Sequence, residues 1–93
     1  MKREEILETA RTVVTKDQAS LYGKPENNFA RIALIWEAVK GIKFTPEEVA
    51  AMLAGVKLAR IATSPQHADN WVDLAGYAAC GGEIAVTEKT EIP

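Results

Sequence analysis

The chain has one cysteine, Cys80, and one histidine, His67. A single thiol excludes an intramolecular disulfide. One imidazole and one thiol, roughly three to four helical turns apart on the same segment, cannot furnish a zinc cluster. An excess of positive charge is also missing. Eleven Lys and Arg face thirteen Asp and Glu, for a net charge of −2. General DNA binding, which favours a strongly basic face, is therefore not expected, although a local basic pocket stays open. No apolar run approaches the roughly 20 residues of a membrane span. The opening MKREEILETA lacks the apolar core of a signal peptide, so the cytoplasm is the expected location. No serine lies in a nucleophile elbow, and no phosphate-loop glycine pattern occurs. No run of alternation is long enough for a sheet.

What is present is apolar residues at helical spacing. They make up part of a 47% apolar composition that is too high for disorder. The 93 residues are expected to form one domain, 1–93, near the small end for a self-sufficient core. Arg3 to about Ala19 reads as a first helix, with Ile6, Ala10 and Val13 on its stripe. Gly23 and Pro25 break that pattern. A second helix is expected from about Asn28 to Lys40, capped by Asn27 or Asn28 and stopped by Gly41. Phe29, Ile32, Ala33, Trp36 and Val39 share one face, and Leu34, Ile35 and Ala38 another. A surface helix needs one apolar stripe, so two stripes point to a central helix or one shared with another subunit.

TPEE, Thr45 to Glu48, has the chemistry of a capping box with proline in the first turn. The third helix then runs to about Thr63, with Val49, Met52, Leu53 and Val56 as its expected stripe. By rotation, Arg60 falls in the middle of that stripe. A fourth helix spans about His67 to Ala85 and contains AGYAACGG, Ala75 to Gly82. Each glycine there costs helix propensity by about 1 kcal/mol against alanine. Close packing against another helix would offset that cost. Residues from about 86 to 93 read as a flexible tail. The expected fold is all-α, a bundle of about four helices, with the second and fourth most buried and self-association expected.

Several charged and aromatic residues stand out. A guanidinium at Arg60 inside a core stripe needs a partner, and Asp73 is the first choice. Alternatively Arg60, Lys57 and Arg31 face a pocket and hold an anion such as phosphate, which arginine's fork suits. Tyr22, Asn27 and Asn28 precede a helix N-terminus, where backbone N–H groups favour anions. Trp71 and Tyr77 lie on different faces of the fourth helix, so one of them lines a groove or a contact. Tyr22 or Trp71 could stack on a base. Asp69 and Asp73 are stacked carboxylates of the kind that hold Mg²⁺, though Asp69 also suits a helix dipole and Asp73 an ion pair. Cys80, among small residues, reads as a packed thiol.

LYGKPENNFARIALIW, TPEEVAAMLAGVKLARIAT and HADNWVDLAGYAAC together resemble a family of short phage- and prophage-encoded proteins classed as a domain of unknown function. The resemblance covers about Leu21 to Ile84 and implies a viral setting. DNWVDLAGYAA is also similar to one helix of the all-α MazG-type nucleotide pyrophosphohydrolases, with Asp73 at that family's Asp position. That likeness would imply an E-x-x-E helix and bound Mg²⁺. Asn70 stands where the family has Glu, and Glu47 and Glu48 are adjacent without an E-x-x-E. A relative that binds nucleotides without cleaving them would tolerate both departures.

Three functions follow as expectations. The first is a non-catalytic binder of a phosphorylated small ligand, such as a nucleotide or a nucleotide signal of host defence. Its residues would be Tyr22, Asn27, Asn28, Arg31, Lys57, Arg60, Trp71 and Asp73, with no cofactor. The second is a protein-interaction module acting on a host protein. The third is a Mg²⁺-dependent nucleoside triphosphate pyrophosphohydrolase using Asp69, Asp73 and one of Glu37, Glu47 or Glu48.

Overall fold

The computed structural model describes residues 1–17 and 24–88. They form four α-helices: α1 (Arg3–Thr12), α2 (Pro25–Lys40), α3 (Pro46–Thr63) and α4 (Ala68–Glu88). A π-helical turn, Val13–Asp17, continues α1. The described residues contain no strand, so the chain is all-α as its periodicity requires.

α1 was expected to run on as an α-helix, but its α geometry stops at Thr12. Thr12, Val13, Val14 and Thr15 are consecutive β-branched residues, which crowd the preceding helical turn. The Thr15 hydroxyl also donates to the Arg11 carbonyl at 2.6 Å, a side-chain bond that competes with and bends the backbone ladder. Residues 18 and 19, the rest of the expected helix, lie outside the described residues.

α2 begins at Pro25, three residues before the expected start. Proline has no N–H to leave unpaired and a φ already suited to a first helical position. Glu26 then meets the positive end of the dipole. Asn27 and Asn28 are therefore inside the first turns and do not cap. Their backbone N–H groups both donate to the Lys24 carbonyl at 3.1 Å. At the other end, Gly41 takes a left-handed φ of 71° and its N–H donates to the Glu37 carbonyl at 2.7 Å. A side chain at that φ would be strained, which is why glycine ends the helix.

α3 starts as TPEE predicts. The Glu48 N–H donates to Thr45 Oγ1 at 3.2 Å, and the Thr45 N–H donates to Glu48 Oε1 at 2.8 Å. Its buried residues are Val49, Ala50 and Ile61, whereas Met52 and Val56 are exposed. The core face is thus rotated from the expected one. α3 is apolar on most sides, so spacing alone allowed either face. Ala50 decides it, because it sits against Gly81 of α4. A Cβ built on Gly81 would lie 2.8 Å from the Ala50 Cβ. The smallest side chains on each helix meet, and the backbones approach closely.

α3 and α4 consequently form the most extensive helix pair, with α1 packed on α4 and α2 chiefly on α3. The most deeply packed helices are therefore the third and fourth, where the sequence suggested the second and fourth. The core comprises Phe29, Ala33, Val49, Ala50, Cys80 and Ile84. Tyr77 tilts against Phe29 at 6.2 Å, and Trp36 meets Phe44 edge-on at 5.6 Å. The small residues of α4 divide by face. Gly76 faces Val14 and Gly81 faces Ala50, while nothing lies within reach of Gly82. α4 also continues through Val86 and Thr87 to Glu88, positions expected in a flexible tail. Residues 89–93 lie outside the described residues. Among the described residues no helix is long and apolar enough to cross a membrane.

Candidate functional site

α2 carries two apolar faces, and the bundle covers only one. Phe29 and Ala33 are buried, with Ile32 and Trp36 half-buried beside them. On the opposite side Leu34 is 67% exposed, Ile35 56%, Val39 75% and Ile42, just past the helix, 58%. Ala38 lies exposed among them. Val39 was expected on the inner face. It falls at the edge of that face and is left exposed. The same outward stripe continues toward the N-terminus through the exposed Arg31 and Asn27. The stripe is therefore polar at its start and apolar at its end.

The charges sort differently from the expectation. Arg60 is exposed, not buried. Lys57 is the cation that reaches inward. Its Nζ lies 2.9 Å from Asp73 Oδ2, with 14% of the lysine side chain and 39% of the aspartate side chain accessible. Lys57 follows Ala50 by seven residues and precedes Ile61 by four, so it points the same way, toward α4; Arg60 is in line with the buried Val49 but about three turns further along, near the end of α3, where it is exposed. Asp73 is thus partnered, but by Lys57 and not by Arg60. A small cleft of about 100 Å³ lies alongside, between the π-helical turn, α2 and α4. Val13, Val14, Phe29, Asp73, Tyr77 and Cys80 are among its walls. Cys80 is buried, and desolvation, with the Glu83 and Glu26 carboxylates adding to it, pushes its thiol above the ordinary value of 9.0.

Arg60 instead lines an open depression at the corner where α3 ends and α4 begins. Thr63, Ser64, His67 and Asn70 line it too. Trp71 stands on the same corner, 41% exposed, with its indole N–H donating to the Pro65 carbonyl at 2.8 Å. Asp69 is exposed, and among the described residues no group of three or more His, Cys, Asp or Glu could hold a metal ion. The expected ligand residues are therefore spread over three places. Arg60 and Trp71 are at the corner, Lys57 and Asp73 are paired between α3 and α4, and Asn27, Asn28 and Arg31 are on α2. Tyr22 lies outside the described residues.

The family described as "Domain of unknown function (DUF6378)" matches residues 5–85, which takes in α2, α3 and most of α1 and α4. The chain belongs to this family. The "Gene 55 protein" of Mycobacterium phage L5 is 42% identical over 89 residues, covering 95% of this chain and 53% of that protein. The "Gene 55 protein" of Mycobacterium phage D29 is 34% identical over 77 residues, covering 83% of this chain and 51% of that protein. The chain spans about half the length of the curated relatives it matches. No solved structure matches. Both of these relatives are phage proteins.

Two features of this family member escaped the reading of the sequence. Ile42 extends the bare stripe beyond Gly41. The signal for it was a large aliphatic residue directly after a helix-ending glycine, where a polar residue is more usual. The company of Arg60 at the corner, Thr63, Ser64 and His67, was hidden because it depends on how α3 is rotated.

Proposed function

We propose that this phage-family domain is a protein-interaction module that docks through the outer face of α2. The observation that carries the reading is the bare aliphatic stripe of Leu34, Ile35, Val39 and Ile42. The largest contiguous apolar patch on a monomeric protein, commonly about 300–600 Å², is often a functional contact site. Burying a whole Val, Leu or Ile side chain is worth about 1.5–3 kcal/mol, so at these exposures each retains about 1–2 kcal/mol to gain. The four together offer roughly 4–8 kcal/mol from this side. Association costs roughly 4–15 kcal/mol before any contact is counted. The face can drive docking when the partner brings a matching surface.

The test compares immobilised wild type with Leu34→Glu and Val39→Glu. Each is offered host-cell lysate and, separately, the purified chain itself. A protein retained by wild type and lost by both variants supports docking. If wild type retains nothing that the variants lose, the reading is wrong.

A second reading, binding of a phosphorylated small ligand, is favoured by one observation. Arg60 shares its depression with two hydroxyls, an imidazole and an amide, from Thr63, Ser64, His67 and Asn70. A guanidinium with such neighbours suits a phosphate group. In a phage setting such a domain would sequester a nucleotide signal of host defence, with Trp71 beside the base. Lys57 and Asp73 would take no direct part, since each already holds the other. Calorimetry with mono-, di- and cyclic nucleotides should give heat that Arg60→Ala removes. Absence of heat across that panel ends this reading.

A further inference from the structure

We infer that the outward side of α3 is an interface between two copies of this chain, packed antiparallel with Gly55 at the two-fold axis. This surface is distinct from the docking face of α2, and the inference does not rest on that reading. The first support is composition. An exposed helix face ordinarily carries charge. The outward side of α3 carries none between Glu48 and Arg60, because Lys57 turns inward. Met52, Val56 and Leu58 stand 48%, 47% and 54% exposed there, with Ala51, Gly55 and Ala59 exposed among them. Gly55 sits at the middle of the helix, where glycine is a poor helix former. Nothing in one copy lies within 4 Å of a Cβ built on it, so no contact of the fold calls for glycine. Gly81 shows what the chain does with such a residue, since it brings α4 close to Ala50. Close approach of a second helix gives Gly55 the same use.

The second support is a register that stays within one regular helix, Pro46–Thr63. A two-fold at Gly55 sets Met52 level with Leu58 of the other copy, and Glu48 level with Ala62. A rotation of about 100° per residue puts Met52, Val56 and Ala59 on one edge of the contact and Ala51 and Leu58 on the other. Met52 then enters between Val56 and Ala59 of the other copy, in the open depression that these line with Arg60, Thr63 and His67. On the opposite edge Leu58 meets Ala51. Large side chains face small ones on both edges, as an isologous contact demands.

Charge complementarity is the third support. Glu48 of one copy comes to the end of the depression that holds Arg60 of the other. Arg60 is exposed and has no ion pair among the described residues. Glu48 caps its own helix through Oε1, which leaves the second carboxylate oxygen for a guanidinium. The axis makes this pair twice and sets the acidic first turn of each α3 against the basic last turn of the other. A phosphate at Arg60 would compete with it. With Glu48, Arg60 and the depression included, the exposed surface on this side is on the order of 600–800 Å², against ~800 Å² per partner in a stable interface. Its centre is apolar and its ends are polar, the layout that such contacts have.

Sedimentation equilibrium of the full chain, from low micromolar to about 0.5 mM, reads the outcome directly. Wild type should pass from the mass of one chain to that of two. Gly55→Glu should stay at one chain with its helical circular dichroism kept, since one copy has room for the side chain while two carboxylates would meet at the axis. Val39→Glu, on the outer face of α2, should leave the dimer as it is. Arg60→Glu and Glu48→Arg should each weaken pairing by about tenfold. An equal mixture of those two chains should recover it, because every contact then joins opposite charges again. Gly55→Cys should form a disulfide-linked dimer under mild oxidation, with the native Cys80 buried and out of reach. Leu34→Cys should not. A wild type that remains one chain at the highest concentration overturns the inference. So does a dimer indifferent to Gly55→Glu, a dimer lost in Val39→Glu, or linkage as ready at 34 as at 55. A charge-reversed mixture that pairs no better than its separate components, while wild type dimerises, overturns the antiparallel register.

Discussion

Gly81 and Gly82 are neighbours in the same helix, yet alanine at the two positions should shift stability differently. Both substitutions add a methyl group and remove the same backbone freedom from the unfolded chain. In a helix interior that exchange is worth about 0.8–1 kcal/mol in favour of alanine. At Gly82 nothing lies within 4 Å of the new Cβ, so Gly82→Ala should stabilise by about 1 kcal/mol. At Gly81 the new Cβ would lie 2.8 Å from the Ala50 Cβ, with the Glu47 carbonyl oxygen at 3.9 Å. The Ala50 methyl is fixed to backbone and cannot swing away, so α3 and α4 must separate. Overpacking of this kind costs about 1–3 kcal/mol, which cancels the propensity gain or exceeds it. The two variants should differ by about 1–3 kcal/mol. For a chain of this length 1 kcal/mol moves Tm by about 4–8 °C. Urea unfolding followed by circular dichroism, at one fixed protein concentration, would show the midpoints moving apart at constant slope. Ala50→Gly in the Gly81→Ala background should recover part of the loss, since it returns the space. Equal stabilisation at 81 and 82 would refute the close helix approach on which this account of the core is built.

Three further outcomes follow. Asp73→Ala should destabilise by about 1–2 kcal/mol because it strands the Lys57 ammonium, and the cost should shrink in a Lys57→Met background; equal costs in both backgrounds would show that the pair is not coupled. Arg60→Met should change the urea midpoint by less than about 0.5 kcal/mol, as suits an exposed side chain; a loss several times larger would return Arg60 to the core. Burial raises the Cys80 thiol above 9.0, so its contribution to stability is fully present below about pH 9 and is lost as pH rises through the higher folded value; native alkylation at pH 8 should be much slower than in urea, and equal rates would contradict the burial.

What could be read in the sequence were features with a local cause. TPEE carries its own hydrogen-bond partners three residues apart, so the start of α3 needed no knowledge of the rest of the chain. The fourth helix, rich in glycine and alanine, required a close neighbour whichever helix supplied it. The two-sided character of α2 was visible in Leu34, Ile35 and Ala38. What could not be read were choices made between helices. α3 is apolar around most of its circumference, and only the fit of Ala50 to Gly81 selects its inward face. Lys57 shares the direction of Ala50 and reaches Asp73, while Arg60, in line with Val49 but near the end of α3, lies at the corner with His67. The asparagines misled because Asn is a good cap, whereas the lysine and proline ahead of them began the helix sooner. Nothing in the spacing of Arg31, Lys57 and Arg60 revealed that they occupy three different parts of the surface.

The first helix is held on slender terms. Of the residues in α1 only Ala10 is buried, and Leu7 stands largely in solvent. An alanine contributes little apolar area, so although α1 packs directly on α4, and Val14 of the π-helical turn adds a contact at Gly76, little apolar surface holds it there. Its amides should trade hydrogen for deuterium through a local opening, well below the free energy that guards the amides of α3 and α4. On the timescale of that breathing the molecule is a durable pair of helices wearing a detachable sleeve, and a protease should find the sleeve first.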